Sequence, residues 1–269
     1  MISYENGYKS FLQSPCRPIK CSRMQYEQVT WYSERVGRDM TVRIYGHYGY
    51  PVIAFPCQDK QSDDFYNFGM IDALAPLIES GRMKLYCVDA NDEQTVSAGG
   101  YNPGHAAYLL DQYHEYLIHE LLPFVYDKQH GYCWPYLVGA SMGGTHAANH
   151  FFRRPELFSG FISLSASYDI TRFFPGYMDE KVYRNSPVQY LGDMPYDHPY
   201  IDLYNQKTMI VNVGDGDFEY LVKYTVDWLK SITDTKGIHI DYQYWDGNSV
   251  HDWRSWRYSL PYFLNKVLP

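Results

Sequence analysis

Residues 134–144 read Trp134-Pro135-Tyr136-Leu137-Val138-Gly139-Ala140-Ser141-Met142-Gly143-Gly144. A short apolar run ends at a glycine, a serine follows with glycines two positions to either side, and the sequence continues as a helical pattern, THAANHFF. Where a strand turns sharply into a helix, the residue at the turn is forced into a strained backbone conformation, and its neighbours must be small to avoid the strand and the helix. A G-x-S-x-G pattern meets that demand and lifts the Ser141 hydroxyl above the C-terminal edge of the sheet, where α/β folds place their ligands. The Met142 N–H, first in the helix, then becomes a donor to an oxyanion.

The flanking sequence supplies the sheet and helices that such a turn requires. Gln25–Tyr32 and Met40–Tyr45 alternate polar and apolar residues, as two antiparallel strands with one solvated face do. Continuous apolar runs follow at Pro51–Phe55, Leu85–Val88, Tyr136–Val138, Phe161–Leu164 and Thr208–Val213, the signature of parallel strands buried on both faces. Helical patterns lie between them at Asp64–Glu79, His105–Tyr126, Met142–Arg153 and Glu219–Ile232, and a strand Ile238–Trp245 and a helix Trp253–Val267 close the chain. The expectation is an α/β fold: a mostly parallel sheet of about eight strands with helices on both faces. Residues 168–204 break the alternation. They hold Pro175, Pro187, Pro195 and Pro199 among many aromatics, and read as a cap-like insertion whose Phe173, Phe174 and Tyr177 shape a substrate pocket.

Composition bounds the rest. The 269 residues are 45% hydrophobic and 20% charged, with no linker, repeat or low-complexity tract, so residues 1–269 are expected to form one domain. A net charge of −8 argues against nucleic acid as a partner, and no apolar run approaches the roughly 20 residues that span a bilayer. The N-terminus lacks the basic start and apolar core of a signal peptide, and the five cysteines (Cys16, Cys21, Cys57, Cys87, Cys133) show no paired spacing. Reduced thiols and a cytoplasmic location are therefore expected. His146 and His150 stand four apart on the helix after the serine, but without the glutamate of H-E-x-x-H they read as packing or solvated residues, and no metal is expected. Asp215, Asp217 and Glu219 lack the spacing of a full Ca²⁺ loop.

A serine at its free pKa is a poor nucleophile and needs a base, and the base an orienting acid. In this architecture the order along the chain is serine, acid, histidine. His198, His239 and His251 follow Ser141; His239 falls within the last strand pattern and His198 in the irregular segment, whereas His251 sits in the loop before the last helix. His251 is the expected base. The acid is ordered Asp217, Asp215, Asp169: the first two sit in the loop GDGDFE after a buried strand, the third one strand earlier.

The pieces PVIAFP, GASMGG with HFFRRPELFSGFISLSAS after it, VGDGDF and the histidine of HDWRSWRYSLPYFL, spread over Pro51 to Leu264, resemble the putative-esterase family of α/β-hydrolases, which includes esterase D, feruloyl esterases and mycolyltransferases. The resemblance implies an α/β-hydrolase acting on small-molecule carboxylic esters through Ser141, Asp217 and His251 and an acyl-enzyme, without cofactor. It favours Asp217 over Asp215 through the G-x-x-D of Gly214–Asp217. The family's glycine after the first buried strand is missing, so the second oxyanion amide falls to Gln58, with Cys57 or Asp59 as alternatives. An acyltransferase using the same residues, or a non-catalytic binding protein on this fold, would share most of these features.

Overall fold

The apolar runs form the inner strands of one eight-stranded sheet in a computed structural model that describes residues 24–247 and 249–269. The strands are β1 (Tyr26–Ser33), β2 (Arg38–Tyr45), β3 (Tyr50–Phe55), β4 (Met83–Val88), β5 (Tyr136–Ala140), β6 (Gly160–Leu164), β7 (Thr208–Gly214) and β8 (Asp241–Trp245). Their spatial order is β1-β2-β4-β3-β5-β6-β7-β8. Only β1–β2 and β2–β4 pair antiparallel; every other neighbour is parallel. The helices are α1 (Asp64–Asn67), α2 (Met70–Glu79), α3 (Pro103–Tyr116), α4 (Leu122–Lys128), α5 (Met142–Arg153), α6 (Glu180–Arg184), α7 (Pro187–Asp193), α8 (Pro199–Tyr204), α9 (Tyr220–Lys236) and α10 (Trp253–Val267).

Strand alternation divides the core into two layers. Ile53, Phe55, Leu137, Phe161 and Val211 point to one face, where they pack with Tyr113, Phe151 and Leu229 of α3, α5 and α9. Val52, Ala54, Val138, Ile162 and Ile210 point to the other, against Leu74 and Ile78 of α2 and Leu260 and Phe263 of α10. Both faces of the parallel strands are covered, which is why their sequences are continuously apolar. No helix among the described residues is long and apolar enough to cross a membrane.

Three boundaries differ from the sequence expectation. The helix expected over 64–79 is two helices, divided at Gly69, whose φ of 72° leaves the helical region. The helix expected over 105–126 widens into a π turn at Leu117–Leu121. Pro123, at the start of α4, has no N–H to continue the regular ladder there. The last strand begins at Asp241 rather than Ile238, because the Ile238 N–H closes the end of α9 on Thr233 O and the His239 N–H donates to Asn205 Oδ1.

Residues 168–204 hold more regular structure than their prolines suggested. Pro187 and Pro199 occupy the first positions of α7 and α8, where a missing N–H costs nothing, and Asp179 caps α6 by accepting from the N–H groups of Lys181 and Val182. The same residue type that breaks a helix interior starts these.

A buried polar cluster lies between α3 and α5. His114 Nδ1 and His150 Nδ1 are 2.9 Å apart, both rings are almost wholly buried, and His146 Nε2 lies 2.8 Å from Asp92 Oδ1. Burial first, then neighbouring cations, pushes the pKa of His114 well down; burial, then the adjacent histidines, does so for His150. One Nδ1 of the pair must carry the proton and the other must not. His150 Nε2 has no partner, which is less costly as a lone pair than as an N–H, so His150 is best assigned as the donor. Among the described residues no group of three or more histidine, cysteine, aspartate or glutamate side chains is arranged to hold a metal.

Because both folded-state pKa values lie below the unfolded value of about 6.5, the unfolded chain binds more protons just below that pH. Stability is therefore expected to be constant above about pH 6.5 and to fall as pH drops below it, by up to about 1.4 kcal/mol per pH unit per histidine. Urea midpoints measured from pH 8 to pH 5 check this, and the fall should be shallower in a His114→Gln/His150→Gln double variant.

Candidate active site

β5 delivers Ser141 to the C-terminal edge of the sheet with φ 53° and ψ −124°, in the strained region expected at a strand-to-helix elbow. The glycines around it have a steric reason. A Cβ on Gly139 would lie 2.2 Å from the Gly143 carbonyl carbon, and one on Gly143 would lie 2.3 Å from Phe55 O. The elbow thus rests directly on the backbone leaving β3. The Met142 N–H opens α5. Across from it, the Cys57 N–H donates to Asp64 Oδ2 at 2.8 Å and is not free, whereas the Gln58 N–H has no acceptor among the described residues. The Gln58 side chain is held by Ser97 Oγ at 2.8 Å, and that hydroxyl in turn donates to Asp59 Oδ1.

His251 stands between β8 and α10. Its Nε2 is 2.9 Å from Ser141 Oγ, and its backbone N–H donates to Asp217 O at 3.0 Å. The imidazole packs edge-on against Trp256 at 5.1 Å. Facing its other nitrogen is Glu219: Oε2 lies 3.8 Å from His251 Nδ1, and neither atom has a hydrogen-bond partner. That separation is too long for a hydrogen bond, but apo geometry at such sites is commonly loose and tightens with substrate. The other oxygen of Glu219 accepts from Ser165 Oγ at 2.6 Å, and Trp256 Nε1 donates to Ser165 Oγ at 2.9 Å. Glu219 is 1% exposed and Ser165, at φ 49°, is equally enclosed. Trp256 of α10 therefore aims the Ser165 proton at the carboxylate, leaving Oε2 toward the imidazole.

Residues 33–266 match the family model described as "Esterase: Putative esterase". The chain belongs to this esterase family. Among solved structures it is similar to a ferulic acid esterase at 20% identity and TM-score 0.71, covering 91% of this chain and 98% of that one. It is also similar to an S-formylglutathione hydrolase from Agrobacterium tumefaciens (17% identity, TM-score 0.66, 90% and 94% covered) and to Mycobacterium tuberculosis MPT51 (14%, 0.66, 90% and 97%). A search of curated proteins finds no match. At these identities the likeness establishes the α/β-hydrolase fold.

The carboxylate that faces the His251 ring is Glu219, two residues after the expected Asp217. Asp217 is solvent-exposed and meets His251 only through its backbone carbonyl; Asp215 is exposed as well. Phe218, at φ 66°, reverses the chain so that its own ring points outward and Glu219 turns in beneath the imidazole. Asp169 is occupied elsewhere, accepting from Thr171 N–H and Ser186 Oγ. Glu219 belongs to the same loop, GDGDFE, but a left-handed phenylalanine has no sequence signature.

The expected pocket residues fare unequally. Phe174 is 1% exposed, packed with Met142, Leu110 and Ile170 in a small core under the elbow, so it cannot line an open pocket. Phe173 is half-buried beneath the Arg172 guanidinium, and Tyr177, also half-buried, donates to Asp179 Oδ2. Cys57, Cys87 and Cys133 are free thiols; Cys16 and Cys21 lie outside the described residues. Burial, then Asp64, pushes the Cys57 thiol well above its ordinary range, so it is not a thiolate at neutral pH. A cavity of about 270 Å³ adjoins His251, lined by Asp217, Phe218, Val250, Asp252 and Arg254.

Ser165→Ala removes a hydrogen bond to a buried carboxylate and leaves the Trp256 N–H without its acceptor. The expected cost is about 1.5–3 kcal/mol, measured by urea unfolding at pH 7.

Proposed function

We propose that this esterase-family protein hydrolyses carboxylic esters through Ser141, His251 and Glu219. The observation that carries the reading is the 2.9 Å approach of His251 Nε2 to the hydroxyl of a strained elbow serine, with a buried carboxylate behind the same ring. His251 Nε2 takes the Ser141 proton as Oγ attacks the ester carbonyl carbon. Charge passes to the carbonyl oxygen, which the N–H groups of Met142 and Gln58 receive. As the tetrahedral intermediate collapses, the C–O bond to the alcohol breaks and His251 gives its proton to the departing oxygen. Water, deprotonated by the same nitrogen, then attacks the acyl-serine and releases the acid. Glu219 holds the imidazole with Nδ1–H toward itself and stabilises the positive charge that forms.

Ser141→Ala is expected to abolish turnover of p-nitrophenyl acetate and labelling by a fluorophosphonate while leaving the fold intact; persistent labelling at another residue would refute the nucleophile.

Glu219→Gln is expected to lower kcat by about 10³–10⁴-fold, the scale seen when a catalytic histidine loses its orienting acid, and Asp217→Asn by no more than a few-fold. Steady-state kinetics on both variants decide between the two carboxylates, and the reverse ranking restores Asp217.

A further inference from the structure

Residues 57–60 form a tight turn beyond β3, closed by the Lys60 N–H on Cys57 O at 3.1 Å. Gln58 and Asp59 are its two central residues, and Asp59 has a φ of 58°. Few residues with a Cβ adopt left-handed backbone, so the turn is not held by its own conformational preference. Its first residue is fixed, because the buried Asp64 carboxylate accepts the Cys57 N–H. The glycine contact of the elbow reaches only Phe55 and Pro56. Gln58, whose amide is open, lies past both restraints.

Ser97 supplies a further hold. Its Oγ accepts from Gln58 Nε2 at 2.8 Å and donates to Asp59 Oδ1 at 2.7 Å, so one hydroxyl engages both central side chains of the turn. Ser97 is in turn fixed to the helix that begins at the nucleophile. Its N–H donates to Asp92 O at 2.9 Å, and the buried Asp92 carboxylate accepts from His146 Nε2 at 2.8 Å. His146 lies on α5, about one turn past Met142. Val96, the residue before Ser97, packs with Met142 itself in the small core under the elbow. The two amides assigned to the oxyanion belong to separate segments, α5 and the turn after β3. The loop after β4 ties one segment to the other.

We propose that Ser97 is a positioning residue for ester hydrolysis: its hydroxyl fixes the Gln58 N–H by holding both central side chains of the turn, from a loop anchored on α5. The inference rests on the esterase reading and adds to it a residue that acts through Gln58. It also gives a role to the Asp92–His146 pair, which takes no part in moving protons to or from the ester. An oxyanion donor matters most once charge has developed on the ester oxygen, so displacing it weakens the transition state more than bound substrate. The effect of losing Ser97 belongs in kcat rather than in KM.

Ser97→Ala is compared with Ser97→Thr, which keeps the hydroxyl, using p-nitrophenyl acetate. Ser97→Ala is expected to lower kcat about 10- to 100-fold with KM within about twofold, less than outright loss of an oxyanion donor. Ser97→Thr is expected to stay within about threefold of wild type. The Ki of a trifluoromethyl ketone, which forms a tetrahedral oxyanion on Ser141, is expected to rise by the factor by which kcat/KM falls. Hydrogen exchange over residues 56–61 needs no substrate. It is expected to quicken in Ser97→Ala and not in Ser97→Thr, with the melting temperature little changed. The assignment is overturned if kcat of Ser97→Ala is unchanged, if only KM rises, or if Ser97→Thr falls as far as Ser97→Ala. Inhibitor affinity that holds while kcat falls, or exchange that ignores Ser97→Ala, overturns it as well. A wild-type protein inert to every ester, with exchange still faster in Ser97→Ala, refutes the esterase reading and the catalytic role with it, but not the hold on the turn.

Discussion

Three backbone segments meet at the elbow with no side chain between them. Gly139 at the end of β5 abuts Gly143 in the first turn of α5, and Gly143 abuts the carbonyls of Phe55 and Pro56 as β3 ends. A methyl group at either glycine would overlap backbone that has nowhere to move, because β3 and β5 are interior strands covered on both faces. That contact seats the first turn of α5 directly on the backbone leaving β3. It also fixes the serine at a φ of 53°, a conformation costing of order 1–3 kcal/mol, which only a rigid surround can hold.

The second half of the site is assembled from the far side of the sheet. Glu219 comes from the loop after β7, Ser165 from the end of β6, His251 from the loop after β8 and Trp256 from α10. Trp256 belongs to the core layer that α10 shares with α2, so packing of that layer sets the direction of a hydrogen bond that ends on the Glu219 carboxylate. A buried carboxylate without such donors would pay a heavy desolvation cost or take up a proton. The Trp256–Ser165 pair keeps one oxygen solvated by protein and turns the other toward His251.

The opposite layer carries its own polar burden. His114, His146, His150 and Asp92 lie on the α3–α5 side, where α5 leads away from the nucleophile. The tyrosines are distributed in a similar way between interior and surface. Tyr113, Tyr116, Tyr168 and Tyr204 fill the core, while Tyr258 and Tyr262 stand exposed along α10. Trp245 of β8 and Tyr258 of α10 line a hollow at that end of the sheet.

Local chemistry made much of this legible from residues alone. The continuous apolar runs, the spacing of Gly139, Ser141 and Gly143, and a histidine after the last strand depend on neighbours a few positions away. Period-2 burial and elbow sterics act at that range, so the sheet, the elbow and the candidacy of Ser141 and His251 could be read from sequence. What tertiary structure decided was which groups converge from afar. A positive φ at Phe218 exchanges Asp217 for Glu219 beneath the imidazole, and Asp64, seven residues on, takes the Cys57 amide and leaves that of Gln58 free. Ser165 and Trp256, 91 positions apart, became partners only through the packing of α10 on β6. Phe174, a pocket residue by composition, is core by position. Composition and periodicity specify which face of an element is apolar; they carry no information about which distant side chain will meet it.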